Sequence, residues 1–132
     1  MNPYKIISFI QDKRPKYQNP DLLIGLPQPI EGGYVDDNGK QGKFLTKSTI
    51  SGNIISVYKN NKLNGKNIIY YENGQIMFDE MYVDDKLNGE CIEHRKDGTI
   101  LHRTYKDDKL NGKKIQYNSN GSIKEEATYV NG

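Results

Sequence analysis

Lys62-Leu63-Asn64-Gly65 returns as Lys86-Leu87-Asn88-Gly89 and again as Lys109-Leu110-Asn111-Gly112, at spacings of 24 and 23 residues. Each copy follows a tyrosine by a fixed interval: Tyr58, Tyr82 and Tyr105, with Tyr34 and Tyr129 as outlying members of the series. Self-similarity at this period marks a repeat architecture, in which neighbouring units bury what one unit cannot.

Turn chemistry sets the register inside each unit. Glu72-Asn73-Gly74, Lys96-Asp97-Gly98 and Ser119-Asn120-Gly121 each end in a glycine nine residues after the glycine of the preceding motif. A three-residue loop with glycine in the left-handed position is a type I turn with a G1 bulge. It pairs residue 71 with 75 and sets Tyr70 opposite Ile76, His94 opposite Ile100 and Tyr117 opposite Ile123. A two-residue Asn-Gly turn would scatter these recurring apolar positions over both faces.

Strict alternation from that register puts Ile68, Ile92 and Ile115 on the core face with those pairs. The phase continues as Ile76, Phe78, Glu80, Tyr82 and as Ile123, Glu125, Ala127, Tyr129. The third unit is one residue short between Ile100 and Tyr105, so a bulge present in one neighbour or absent in the other must restore the face. The first unit is degraded: its loop is Ile50-Ser51-Gly52 and its core phase reads Phe44, Thr46, Ser48, Ile54, Ser56, Tyr58. The opposite face then holds Leu45, Ile55, Val57, Ile69, Tyr71, Met77 and Met81 early. Later it holds Cys91, Glu93, Arg95, Leu101, Arg103, Lys114 and Gln116. An apolar patch on a sheet is either covered or an interface.

The chain before the repeats differs in composition. Residues 1–33 hold all five prolines, and Asn2-Pro3 suits the start of a short helix from about Pro3 to Lys13, ended by Pro15. The following irregular stretch carries Leu22, Leu23, Ile24 and Leu26, which fit a cover for the early apolar outer face. The expected fold is therefore all-β, a single elongated, twisted antiparallel sheet of about four stacked hairpins over residues 34–132, preceded by a helical and irregular cover segment over 1–33. The last strand is open to pairing, which leaves a monomer or an edge-paired dimer.

Composition bounds the function. The 19 basic and 17 acidic side chains are interspersed and net +2, which offers no strong field to nucleic acid or an anionic membrane. The apolar run Ile6-Ile7-Ser8-Phe9-Ile10 is too short for a membrane span or secretory core, so a cytoplasmic location without stable membrane insertion is expected. One cysteine, Cys91, excludes an intrachain disulfide and any multi-cysteine zinc site.

Reactive groups do not converge. Cys91 and His94 are an odd number of residues apart on one strand and point to opposite faces, so they cannot pair as nucleophile and base. His94 and His102 share a face without a third ligand, and His94 stands where the other units have tyrosine. The acidic pairs Asp84-Asp85 and Asp107-Asp108 recur with the repeat, which suits turns; a row of acidic turns could also meet a basic partner. No phosphate-binding glycine loop is present, and no enzyme activity, cofactor or metal is expected.

The unit that runs through Tyr70-Tyr71-Glu72-Asn73-Gly74-Gln75-Ile76 to Tyr82 and Leu87-Asn88-Gly89 resembles the bacterial variant of the MORN repeat. The resemblance covers roughly residues 34–132 and departs from the pattern in the first unit and at His94. Proteins of this kind are grouped as YwqK-type antitoxins or resemble immunity proteins, which implies direct binding of a cognate protein toxin; other MORN-type proteins imply a scaffold or a peripheral membrane adaptor. The family supplies no catalytic residue. The residues expected to meet a partner are Glu93, Arg95, Leu101 and Arg103 on the late face and Asp84, Asp85, Asp107 and Asp108 at the turns.

Overall fold

The computed structural model describes residues 25–48 and 51–132. The helix expected from Pro3 to Lys13 and the cover expected from Leu22, Leu23 and Ile24 lie outside the described residues. The described residues are all-β: β1 (Gln28–Pro29), β2 (Tyr34–Asp36), β3 (Gly39–Lys47), β4 (Asn53–Lys59), β5 (Lys62–Tyr70) and β6 (Ile76–Val83) are followed by β7 (Lys86–Leu87), β8 (Gly89–His94), β9 (Ile100–Lys106), β10 (Lys109–Tyr117) and β11 (Ile123–Tyr129). All pairs are antiparallel in one open sheet of order β1-β3-β4-β5-β6-β8-β9-β10-β11, with β2 hydrogen-bonded to β3 and β7 to β6.

Two turn types alternate along this meander. At one end the three-residue loops close as expected: Tyr71 N donates to Gln75 O over 2.7 Å, Tyr70 faces Ile76, His94 faces Ile100 and Tyr117 faces Ile123. At the other end the two-residue turns Asn60-Asn61, Asp84-Asp85 and Asp107-Asp108 carry positive φ at both residues. That is the type I′ geometry, whose twist matches the strands and which Asn and Asp tolerate better than most residues.

The type I′ turns also tie one unit to the next. Asp85 Oδ1 accepts from Leu63 N over 2.7 Å while Asp85 N donates to Leu63 O over 2.9 Å, and Asp108 repeats both bonds with Leu87. Asn61 makes the equivalent pair with Lys40. The Lys-Leu-Asn-Gly motif is thus the receiving end of a ladder. Its glycines, Gly65, Gly89 and Gly112, sit at in-strand irregularities with φ of 121°, 116° and 118°, where a side chain is strained.

Facing residues line up in rows across the sheet. On one face Tyr58 lies opposite Leu63, Tyr82 opposite Leu87 and Tyr105 opposite Leu110. The next row runs Phe44–Ser56–Asn67–Glu80, and the one beyond it runs Thr46–Ile54–Ile69–Phe78–Glu93–Leu101–Gln116–Glu125. This face is the core: Phe44, Ile54, Tyr58, Leu63, Ile69, Tyr82, Cys91 and Leu101 are all buried. Phe44 and Tyr58 meet edge to face, ring centroids 5.5 Å apart, and Val35 and Leu87 pack against their cluster.

The core face differs from the one strict alternation assigns to the first strands. Ile68, Ile92 and Ile115 are half-buried on the other face, whereas Ile69 and Cys91, expected outside, are among the most buried side chains. The cause is a bulge. Tyr70 pairs with Ile76, but Ile69 pairs with Phe78, so Met77 is an extra residue that changes the parity between the two strands of the hairpin. Lys124 does the same in the last hairpin, between Ile123 and Glu125. The third hairpin pairs His94–Ile100 and Glu93–Leu101 without interruption, and this accounts for its missing residue.

Candidate binding surface

The core face changes character along the sheet. In the first two hairpins it is largely buried, and Ser56, Asn67, Glu80 and Tyr82 are bonded to one another. Ser56 Oγ donates to Asn67 Oδ1 over 2.5 Å, Asn67 Nδ2 to Glu80 Oε1 over 2.9 Å, and Tyr82 OH to the same carboxylate oxygen over 3.4 Å. Ser56, Asn67 and Glu80 are fully buried. Burying such groups without partners costs more than a network of this kind returns, so the bonds hold the row in register.

From the third hairpin onward the same face opens. Cys91 pairs with Arg103, Arg103 with Lys114 and Lys114 with Ala127, extending the sheet with cationic and small side chains that are half-buried except for Cys91. Glu93 bridges two arginines: its Oε2 lies 3.4 Å from Arg95 Nε and its Oε1 3.7 Å from Arg103. The side chains of Glu93 and Arg103 remain 21% and 25% exposed. Beyond them Lys114, Gln116, Glu125, Ala127 and Tyr129 line a shallow depression. Burial pushes the Tyr105 hydroxyl pKa above its ordinary value, and the neighbouring Arg103 opposes that shift.

Glu93, Arg95 and Arg103 come together, but Glu93 and Arg103 stand on the core face and not on the opposite face that alternation assigns them, because the extra residue Met77 inverts the parity. Leu101 pairs with Glu93 but is only 3% exposed, so it supports the surface from within. The acidic pairs are exposed, yet each is tied to a neighbouring unit. Asp85 and Asp108 accept backbone amides, while Asp84 and Asp107 accept from Asn64 and Asn88 over 3.2 and 3.3 Å. Lys114 and Gln116, which alternation already places on the face of Arg103, complete the late face with Glu125, which alternation puts on the other face and the extra Lys124 brings round.

The opposite face carries one diagonal acid–base contact in each of the last three hairpins: Lys66–Asp79 at 2.9 Å, Glu90–His102 at 3.6 Å and Lys113–Glu126 at 3.5 Å. In Glu90–His102 the acid and the basic side chain are exchanged between the strands. His94 and His102 share this face, and Cys91 lies on the other. Among the described residues no group of three His, Cys, Asp or Glu side chains stands where it could hold a metal ion. Among the described residues, too, no helix is long and apolar enough to cross a membrane. In comparisons with known proteins, no protein-family model matches the chain and no curated protein matches it.

Proposed function

We propose that this protein is a non-catalytic protein-binding module, an antitoxin or immunity protein that occludes a cognate toxin in the cytoplasm. The observation that supports binding is the passage of one face from a largely buried, internally bonded core to a half-open array of Glu93, Arg103, Lys114, Gln116 and Glu125. Side chains held at strand spacing lose little freedom on docking, which is what a preformed recognition surface needs. The resemblance of residues 34–132 to MORN-variant repeats supports the antitoxin reading within that class.

The test is co-expression with the product of the neighbouring open reading frame, scored by growth and by co-purification. The expected result is rescue of growth and a stable complex, both weakened at least about tenfold in the Arg103→Glu, Lys114→Glu double variant. A toxic neighbour that is neither bound nor neutralised by the folded chain defeats the proposal.

A further inference from the structure

The sheet has a gap whose origin is the bulge at Met77. Where other neighbouring hairpins meet, pairing runs up to the loops. Ile54 pairs with Ile69 and Gly52 N still donates to Tyr70 O over 2.8 Å; Ile100 pairs with Tyr117, and an added Cβ on Gly98 would sit 3.1 Å from Ser119 Cβ. Between β6 and β8 the pairing stops at Phe78–Glu93. β6 is bulged and β8 is not, so their ends cannot stay in step, and the two loops part.

The result is a groove of about 840 Å³ between the loop that begins at Tyr71 and the loop that begins at Arg95. Tyr71 reaches across it, its hydroxyl donating to His94 O over 2.5 Å, in the stretch where ladder bonds have ended. Ile76, Met77 and Ile100 give the groove an apolar part of its lining, and the loop that begins at Arg95 adds Arg95 and Lys96. Lys96 Nζ lies 5.7 Å from the Tyr71 ring centroid, within cation–π range. Among the described residues lining the groove, Glu72 is the one acid beside the two bases Arg95 and Lys96, and Arg95 also holds Glu93 at 3.4 Å. A partly apolar lining between parted strands with two bases fits an extended polypeptide that carries acidic side chains around an aliphatic one. Two cations and a lining of this kind suit a polyanion poorly, because nucleic acid binding draws on many phosphate contacts.

We infer that this groove is a second recognition site, which takes an extended acidic segment of a protein partner. The inference deepens the protein-binding reading and rests on it for the identity of the partner. Its test uses no cognate partner, so the two fail separately. The full chain is titrated with a labelled acidic peptide of glutamates and aspartates around one leucine, and separately with its lysine counterpart and with inorganic phosphate. Amide shifts and fluorescence anisotropy are followed.

The acidic peptide is expected to shift the amides of Tyr71, Lys96 and Thr99 and to bind at least about tenfold more tightly than the lysine counterpart. Lys96→Glu should abolish that preference with the far-ultraviolet spectrum unchanged. Removing Met77, which gives the second hairpin the length of the third, should restore pairing and close the groove. If that deletion unfolds the chain, Lys96→Glu alone decides. Equal binding of both peptides, displacement by phosphate at matched charge, or shifts confined to Arg103 and Lys114 would overturn the inference.

Discussion

Asn67 donates from Nδ2 to Glu80 Oε1 over 2.9 Å, and both side chains are fully buried on facing strands of the second hairpin. Ser56 donates to the same asparagine, so this residue joins three strands through its side chain alone. Asn67→Ala removes both partners at once and leaves buried polar groups behind. It should lower stability by about 1–3 kcal/mol, read as a lower urea midpoint with an unchanged slope. A midpoint equal to that of the unmodified chain would show that the row does not hold the hairpins together.

The type I′ turns make a separable prediction about Asp85. Its φ of 67° and its bond to Leu63 N both suit Asn as well as Asp. Asp85→Asn should therefore be nearly neutral, whereas Asp85→Ala should lose about 2 kcal/mol from left-handed strain and the missing bond together. Thermal unfolding of the two variants side by side checks this. Equal losses would mean that charge, and not turn geometry, is what the position supplies.

Repeated glycines are expected to differ in consequence although their conformations match. An alanine Cβ at Gly65 would lie 3.1 Å from Val57 Cβ, a stiff β-branched side chain; at Gly89 it would lie 3.4 Å from the flexible Met81. Both substitutions pay the strain of φ near 120°, so Gly65→Ala should be the more damaging of the two by about 1 kcal/mol. The difference between their denaturation midpoints is the measurement, and a reversed order would count against this packing.

The loop at Arg95–Thr99 should report its own geometry through pH. The Thr99 hydroxyl and the Thr99 amide both bond the Asp97 carboxylate, over 2.6 and 2.9 Å, and hold its pKa below the ordinary value. With the folded value depressed, the contribution to the loop is present above the unfolded pKa and is lost as pH falls through the folded one. Thr99→Ala should move the Asp97 titration upward in a carboxyl NMR experiment. No movement would mean that the hydroxyl does not bond the carboxylate in solution.

Much of this architecture is legible without coordinates. The period of the Lys-Leu-Asn-Gly motif, the loops ending at Gly74, Gly98 and Gly121, and the pairs Tyr70–Ile76, His94–Ile100 and Tyr117–Ile123 all follow from local chemistry, because turn type and register are short-range properties. The one-residue deficit between Ile100 and Tyr105 is equally visible and correctly requires a bulge present in one neighbour or absent in the other. Part of the candidate surface, Glu93 with Arg95 and Arg103, follows from strand alternation within a single hairpin.

What the chain alone leaves open is which face is buried. Residues 34–132 determine a sheet of repeated hairpins because each turn and each pairing is satisfied locally. Only the tertiary structure assigns Ile69, Asn67 and Cys91 to the core and Ile68 and Ile92 to the other face. The physical reason is that one extra residue at Met77 inverts parity between two strands, and the ladder of the neighbouring strand decides where that residue is left out. The same mismatch parts β6 from β8 and opens the groove beside Tyr71 and Lys96, a feature of three strands that no single repeat contains.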